Sequence, residues 1–520
     1  MIVPIVFSLA PWDRNLVYGW NFIKSVDFAS KYRWPVIAPA RYFDWEKLIA
    51  TSPVLLSELC MEVNDYEKPA KAMLERIIPL PIPVSIEKAF IRAYPSQTDA
   101  YLASGTHDWP AMEDCLCEAI RQAEKQTGEK TEAIMALTDY QFLRNVAKKL
   151  GIFSIFYEWS SIRKPLYDQR LYFMDFQGLQ QNIQLSERYH AFQDQKRELP
   201  ILARKELLAL FLRKEDLCYL DNEKLLTEPS FELGVALPGN FIHYAQAHNM
   251  INIDELCARA QEVFASNEIC FRFHPGHDHI TIPGAVHIDN GSHFDFILRC
   301  KRILSAGSNI SFDVALFNRP AYDESWTMYE LIANRHLEAL ADTIPTDEML
   351  SFIAFCFFVP TELLWSAEYL RYRFSKPSEA ELYMYHLSYC FNALSLDKSI
   401  LELPASDRLT AILANRISAE YAQSWGRADA PIWAHSDEQT RKEIRLFRSQ
   451  KVIEHLRGEL TQLQEEKDRQ LTRLQEEKDR QLTQLQIEKD AQLMDIRNSR
   501  SYKLALVIKK ATTPFRRRIT

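Results

Sequence analysis

Nine short runs rich in β-branched and aromatic residues, most of them separated by helical stretches, fill the first 330 residues of this chain. They are Ile2–Leu9, Trp34–Ala38, Ala133–Thr138, Ile152–Tyr157, Leu171–Phe176, Leu233–Leu237, Ile269–Phe273, Ala285–Ile288 and Arg302–Ala306. The intervening helical patterns include Trp109–Gln126 and Ile253–Ala265. Strand–helix alternation on this scale predicts mainly parallel sheets covered by helices. A polar helical stretch, Leu185–Leu220, breaks the alternation and is expected to join two such sheets. From Tyr329 to Ser449 the pattern is nearly all helical, expected as packing support for the second sheet. At 520 residues the chain is too long for one ordinary domain, which fits two sheets and an extension.

A second pattern lies nearer the C-terminus. Leu460, Leu471, Leu482 and Leu493 stand eleven residues apart, and Leu463, Leu474 and Leu485 form a parallel series. Eleven residues over three turns give an apolar stripe that runs straight or winds slightly right-handed. Glu465–Arg469 and Glu476–Arg480 add i,i+4 support. So polar a helix needs a partner, so a self-associating coiled coil is expected, with a solvated charged helix as the alternative. After Asp495 no acidic residue occurs, while Arg497, Arg500, Lys503, Lys509, Lys510, Arg516, Arg517 and Arg518 surround Tyr502, Leu504, Val507, Ile508 and Phe515. A basic amphipathic segment of this kind suits an anionic membrane surface, a disordered basic tail being the alternative.

Composition narrows the chemistry. A net charge of −8 argues against general nucleic-acid binding. The nine cysteines follow no zinc-ligand or C-x-x-C spacing, so reduced thiols in a cytoplasm are expected. The opening MIVPIVFSLAPW lacks a basic leader and reads as a buried strand. The longest apolar run, Phe352–Val359, is far short of the roughly 20 residues that span a bilayer. A soluble or peripherally bound protein is expected. With 13 glycines and no G-x-G-x-x-G or P-loop, dinucleotide and NTPase readings lose their main support. There is no H-E-x-x-H or D-x-D, and no metal is expected.

Two strand ends remain. Arg272-Phe273-His274-Pro275-Gly276 follows one strand, placing Arg272 and His274 where open α/β sheets bind ligands. Ser305 leads into a helix near Ile310, with Ser308, Asn309 and Ser311 where free N–H groups favour a phosphate. Asp313, one turn further, is expected within reach of ribose hydroxyls. Ser308 and Asn309 would serve equally as helix caps, and His274 as a satisfied core histidine.

The pattern strand–HP, then strand–S-x₂-S-F-D and a helix ending N-R-P, resembles the nucleotide half of bacterial transferases that use cytidine-activated donors. These are the Kdo transferases of capsule and lipopolysaccharide synthesis and the CDP-glycerol glycerophosphotransferases. In both, the HP histidine and the serine cluster hold the donor phosphate, which implies that role for His274, Ser308, Asn309 and Ser311. The stretch from Phe156 to Tyr167, with Glu158 and R-K-P-L-Y at Arg163–Tyr167, followed by the Leu171–Gly178 block, is similar to retaining β-Kdo transferases. The likeness covers roughly residues 130 to 330. It implies an α/β, GT-B-like fold, two Rossmann-type domains facing a cleft, with Glu158 as acid/base toward the acceptor hydroxyl. Arg163 and Lys164 are then expected at the Kdo carboxylate, arginine with a two-pronged contact.

In that family an aspartate follows the first strand of the second domain and serves as nucleophile; the matching segment here, Gly234–His243, places Asn240 there. A neutral amide is a poor nucleophile. A shifted register, an inactive or engineered variant, and another group doing the work all stay open, and asparagine is also an ordinary turn residue. The expected organisation is an acceptor domain over 1–220, a nucleotide-sugar domain with helical support over 221–445, a coiled coil over 446–497 and a membrane-associating tail over 498–520. The implied function is transfer of Kdo from CMP-Kdo to a lipid-linked O-antigen or capsule glycan, at the inner face of the cytoplasmic membrane. Chain termination beside a polysaccharide polymerase is a further expectation. No cofactor is expected beyond the donor. A CDP-glycerol or ribitol phosphotransferase and a non-catalytic scaffold of a synthase complex are the rival readings.

Overall fold

Thirteen strands among the described residues carry the architecture: β1 (Ile2–Pro4), β2 (Pro35–Pro39), β3 (Ile78–Ile82), β4 (Ala133–Ala136), β5 (Phe153–Trp159), β6 (Leu171–Asp175), β7 (Phe231–Ala236), β8 (Ile269–Arg272), β9 (Val286–His287), β10 (Cys300–Ser305), β11 (Ala321–Asp323), β12 (Ala333–Asn334) and β13 (Phe358–Pro360). The computed structural model describes residues 1–9, 17–57, 60–61, 66, 71–164, 166–179, 182–196, 198–221, 229–237, 253–273, 286–288, 292–323 and 330–425, and, further on, 475, 478, 481, 484–486, 488–496 and 500–516. Residues 1–433 form one compact unit and 434–520 another.

The first sheet has the order β1-β4-β5-β6-β13, and a two-stranded parallel pair, β2-β3, stands beside it. β1, β4 and β5 run parallel, while β6 and β13 each run antiparallel to their neighbour. β4 and β6 are buried on both faces, as strands covered by helices must be. The helices α1 (Val17–Tyr32), α2 (Pro110–Thr127) and α3 (Gln141–Leu150) provide that cover, packing on β1 and β2, on β2 and β3, and on β5. Two further helices, α4 (Leu185–Gln195) and α5 (Arg204–Phe211), lead toward the second sheet.

The second sheet is parallel throughout, in the order β12-β11-β10-β7-β8-β9. Its alternating side chains enter two different cores. Leu233, Val235, Ile269, Phe271 and Leu304 point to one face, under α6 (Ile253–Val263). Cys270, Cys300 and Ile303 point to the other, with Phe294 and Phe296 of α7 (His293–Arg299) and Phe312 of α8 (Ile310–Leu316). Period-two alternation with helices on both faces gives this sheet its doubly covered form.

At the centre of this sheet, Cys270 and Cys300 lie on the strands flanking β7, and their sulfurs come within 3.3 Å across Gly234. A Cβ on Gly234 would stand 2.6 Å from Cys300 Sγ, 2.6 Å from Ile303 Cδ1 and 2.8 Å from Phe296 Cζ. All three belong to fully buried side chains. Gly234→Ala is therefore expected to destabilise the unit by about 1–3 kcal/mol, the usual cost of overpacking. A urea midpoint equal to that of the parent chain would contradict this.

Only the start of the stretch expected to support the second sheet does so, through β12 and Leu337; the part from Phe358 packs elsewhere. Phe358–Pro360 becomes the edge strand of the first sheet, paired with β6. Beyond it, α9 (Glu379–Ala393) and α10 (Ala405–Trp425) pack on α4 and α5. The cause is the apolar run 352–359: its side chains are fully buried, and the backbone of its end pairs with the free edge of β6. In the other unit, residues 484–486 and 488–496 are helical, and Leu485 and Leu493 are 61% and 45% exposed. Most of the eleven-residue repeat, and with it the expected coiled coil, lies outside the described residues. The last helix, α11, spans Arg500–Arg516. Among the described residues no helix is long and apolar enough to cross a membrane.

Candidate functional site

The site is built where the carboxyl ends of β5 and β10 approach each other. The turn after β10 needs a left-handed residue, and Gly307 takes φ +62° there. Its N–H donates to both carboxylate oxygens of Asp323, at 3.1 and 3.0 Å, and Ser305 Oγ adds a 3.4 Å bond to the same group. Asp323, at the end of β11, thus pins the turn. Residues 307–310 stay partly exposed.

The four residues expected to grip a donor phosphate and ribose have different surroundings. Ser308 Oγ accepts from the Ile310 N–H at 3.3 Å, a local turn bond one residue ahead of the helix cap at Asn309. Asn309 makes no side-chain cap; its Nδ2 donates to the Trp159 carbonyl at 2.9 Å. That bond joins the second sheet's turn to the end of β5. Ser311 is buried, its Oγ 3.4 Å from Ser305 Oγ. Asp313 is only 1% exposed, and both its oxygens are engaged: one accepts from the Tyr167 hydroxyl, the other lies 2.7 Å from His293 Nε2. This placement makes Asp313 a tie between segments, where an open ribose contact was expected.

Glu158 lies next to the joint, opposite Phe173 of β6, partly exposed. Burial pushes its carboxyl up to about 7, with Asp139 adding to the rise and Arg163 opposing it. Asp139 is itself pushed up by burial, against the pull of Arg144 at 3.1 Å. It accepts from the Leu179 N–H at 2.7 Å and from Asn182 Nδ2 at 2.9 Å, which anchors the loop after β6 over this end of the sheet. Trp159 stacks on Trp20, ring centroids 4.6 Å apart, and the Arg163 guanidinium lies over the Trp159 ring at 5.5 Å. Lys164 follows it, partly exposed. A carboxyl that titrates near neutrality can take and return a proton at physiological pH.

Arg272 ends β8 and is nearly buried, with Nη1 donating to the Ile288 carbonyl at 2.9 Å. His274 and Asn240 lie outside the described residues. The structure thus brings Glu158, Arg163 and Asn309 to one joint through Trp159, with Ser308 beside Asn309. Arg272 lies on the same edge of the second sheet, two strands from Ser305. Sequence reasoning missed Asp139, Asp323, Trp20 and His293, which hold the site rather than carry a motif. Tyr167 closes the R-K-P-L-Y element, which was a signal for it. Among the described residues no group of three His, Cys, Asp or Glu side chains is placed to hold a metal ion.

No protein-family model matches the chain, and no curated protein matches it. Among solved structures, the chain is similar to the beta Kdo 2,7 transferase of Thermosulfurimonas dismutans KpsC at 12% identity, over 49% of this chain and 90% of that one, with a TM-score of 0.27. The beta Kdo 2,4 transferase of the same KpsC aligns at 13% identity over 42% and 78%, TM-score 0.25. The UDP-GlcNAc 2-epimerase of Methanocaldococcus jannaschii aligns at 10% identity over 67% and 97%, TM-score 0.27. Likeness at these TM-scores carries no argument about the fold or the activity of this chain.

Proposed function

We propose that this chain is a GT-B-like glycosyltransferase that moves Kdo from CMP-Kdo to a lipid-linked surface glycan with retention of configuration. The observation that carries this reading is Glu158: a partly buried carboxyl raised to about 7, one residue from the Trp159 carbonyl on which the second sheet's turn is docked. Such a group can serve the acceptor hydroxyl as base and return the proton. Arg163 supplies a cation beside it for the carboxylate of the sugar. Ser308, the turn at Gly307, Arg272 and His274 are assigned to the cytidine donor, and Asn309, Ser311 and Asp313 to holding that turn in place. The resemblance of the Glu158 block and of the HP and S-x₂-S-F-D elements to β-Kdo transferases gives the donor its identity. Position 240 is assigned to the nucleophile's place.

A non-catalytic scaffold that keeps the nucleotide fold is the second reading, favoured by Asn240, since an amide cannot attack the anomeric carbon as a carboxylate does. One assay separates the readings. CMP release from CMP-Kdo and turnover of CDP-glycerol are followed with a membrane glycan acceptor extract, for the parent chain and for Asn240→Asp. Turnover of CMP-Kdo by either form supports the transferase, and turnover only after the change places the missing nucleophile at 240. Turnover of CDP-glycerol instead would move the chain to the phosphotransferases. A folded protein silent with both donors in both forms would leave the scaffold.

A further inference from the structure

The helix α11 is not used by the transferase reading, and its chemistry points to a partner of its own. Its seventeen residues rise about 1.5 Å each, giving about 25 Å of rod. Leu504, Val507 and Ile508 fall at i, i+3 and i+4, one face of a helix, and are 63%, 63% and 55% exposed. In the sequence, Ala511 and Phe515 continue that spacing at i+7 and i+11. Lys503 and Lys509 are exposed as well; by helical spacing Lys509 and Arg516 fall across the wheel from the stripe, while Lys503 and Lys510 flank it. From residue 496 onward the sequence has eight basic residues and no acidic one, in a chain whose net charge is −8.

An apolar stripe on a helix whose charged residues are all basic is complementary to a surface that is greasy below and negative above. We propose that α11 lies in the plane of an anionic lipid surface, Leu504, Val507 and Ile508 among the acyl chains and the lysines at the headgroups. A trans-bilayer placement is excluded for this helix by its apolar length. A second copy that brought the same helix alongside in parallel would set basic residues against basic residues. Each basic residue near an anionic surface tightens binding about fivefold, so the set gives attachment that rises steeply with surface charge and falls with salt. The attachment is reversible, and it would bring the site of unit one to acceptors carried on lipid without committing the chain to the membrane.

The test needs neither donor nor acceptor, so its outcome stands apart from that of the transferase reading. The full chain is sedimented with vesicles of phosphatidylcholine alone and with vesicles containing phosphatidylglycerol. The expected result is binding to the anionic vesicles at least about tenfold tighter than to the neutral ones, lost as salt rises above about 0.5 M. Lys503→Glu with Lys509→Glu should lower binding by about tenfold or more, and Val507→Ser with Ile508→Ser should lower it on anionic vesicles too. Unchanged circular dichroism shows that each variant still folds, and the salt series on the parent chain needs no variant. Equal binding to neutral and anionic vesicles would overturn the proposal. So would absence of binding to both, including the case in which the serine variant dissociates an oligomer and so reveals a second copy on the stripe.

Discussion

Glu158→Gln is expected to cut donor turnover by about 100- to 10,000-fold, the range for loss of a positioned acid/base group, while the fold persists. Glutamine keeps the size and hydrogen-bonding shape of the side chain but can neither take nor return a proton. The parent's rate should rise with pH through about 7, because the base must be ionised and burial holds its carboxyl there. The same shift makes a prediction about stability, with the opposite sense. The unfolded chain releases this proton near the ordinary value of 4.5, the folded chain only near 7. Stability from the retained proton is fully present below the unfolded value and is lost as pH rises through the folded one. Above pH 7 the parent therefore buries an ionised carboxylate at a cost, and Glu158→Gln should unfold at higher urea than the parent. The difference is on the order of 1–3 kcal/mol, allowing for the solvent the side chain retains. At about pH 4 the two should unfold together. A variant that is slower yet no more stable at high pH would place Glu158 in solvent rather than in the joint.

This trade between stability and activity explains what the sequence could and could not reveal. Strands with buried β-branched and aromatic side chains were legible, and all nine predicted runs appear, shifted by a few residues at their ends. Four others were not. β3 reads IPLPI, and two prolines in five residues argue against a strand; it survives because it pairs on one side only, with β2. β11 and β12 are three and two residues long, too short for any alternation to show. β13 sits inside an apolar run that begins as helix, passes through a wide turn at Ile353–Phe357 and ends extended, so no single period describes it. The site follows the same rule. Glu158 was reached through resemblance of its neighbours, and no spacing within the chain marks it. Asp313 was expected within reach of ribose hydroxyls from its place one turn into the helix; its partners, Tyr167 and His293, stand 146 and 20 residues away. Contacts of that range leave no periodic trace. From Phe358 on, the expected support of the second sheet gave way for the same reason, since the free edge that captures β13 belongs to residues 171–173.

The helices in that stretch also carry a large expected stability effect. Arg408 of α10 donates from Nε to Glu206 Oε1 at 3.0 Å, and its Nη2 reaches the Ile201 carbonyl at 2.6 Å. Glu206 of α5 is 1% exposed and also accepts from the Ala203 N–H at 2.6 Å. Arg408→Met removes the cation and leaves a carboxylate buried from solvent with the Ala203 backbone donor, so about 3–5 kcal/mol should be lost. Most of the cost is the stranded charge rather than the bond itself. Adding Glu206→Leu to Arg408→Met should then recover much of it, leaving roughly the 1 kcal/mol of the lost Ala203 contact. A double-mutant cycle read by urea unfolding decides between the two accounts. If the double variant is as unstable as the sum of the singles, the two residues act independently and the stranded-charge account fails. If it recovers, the hold of α10 on α5 is apolar, and the ion pair serves to fix which helix α5 accepts as its neighbour.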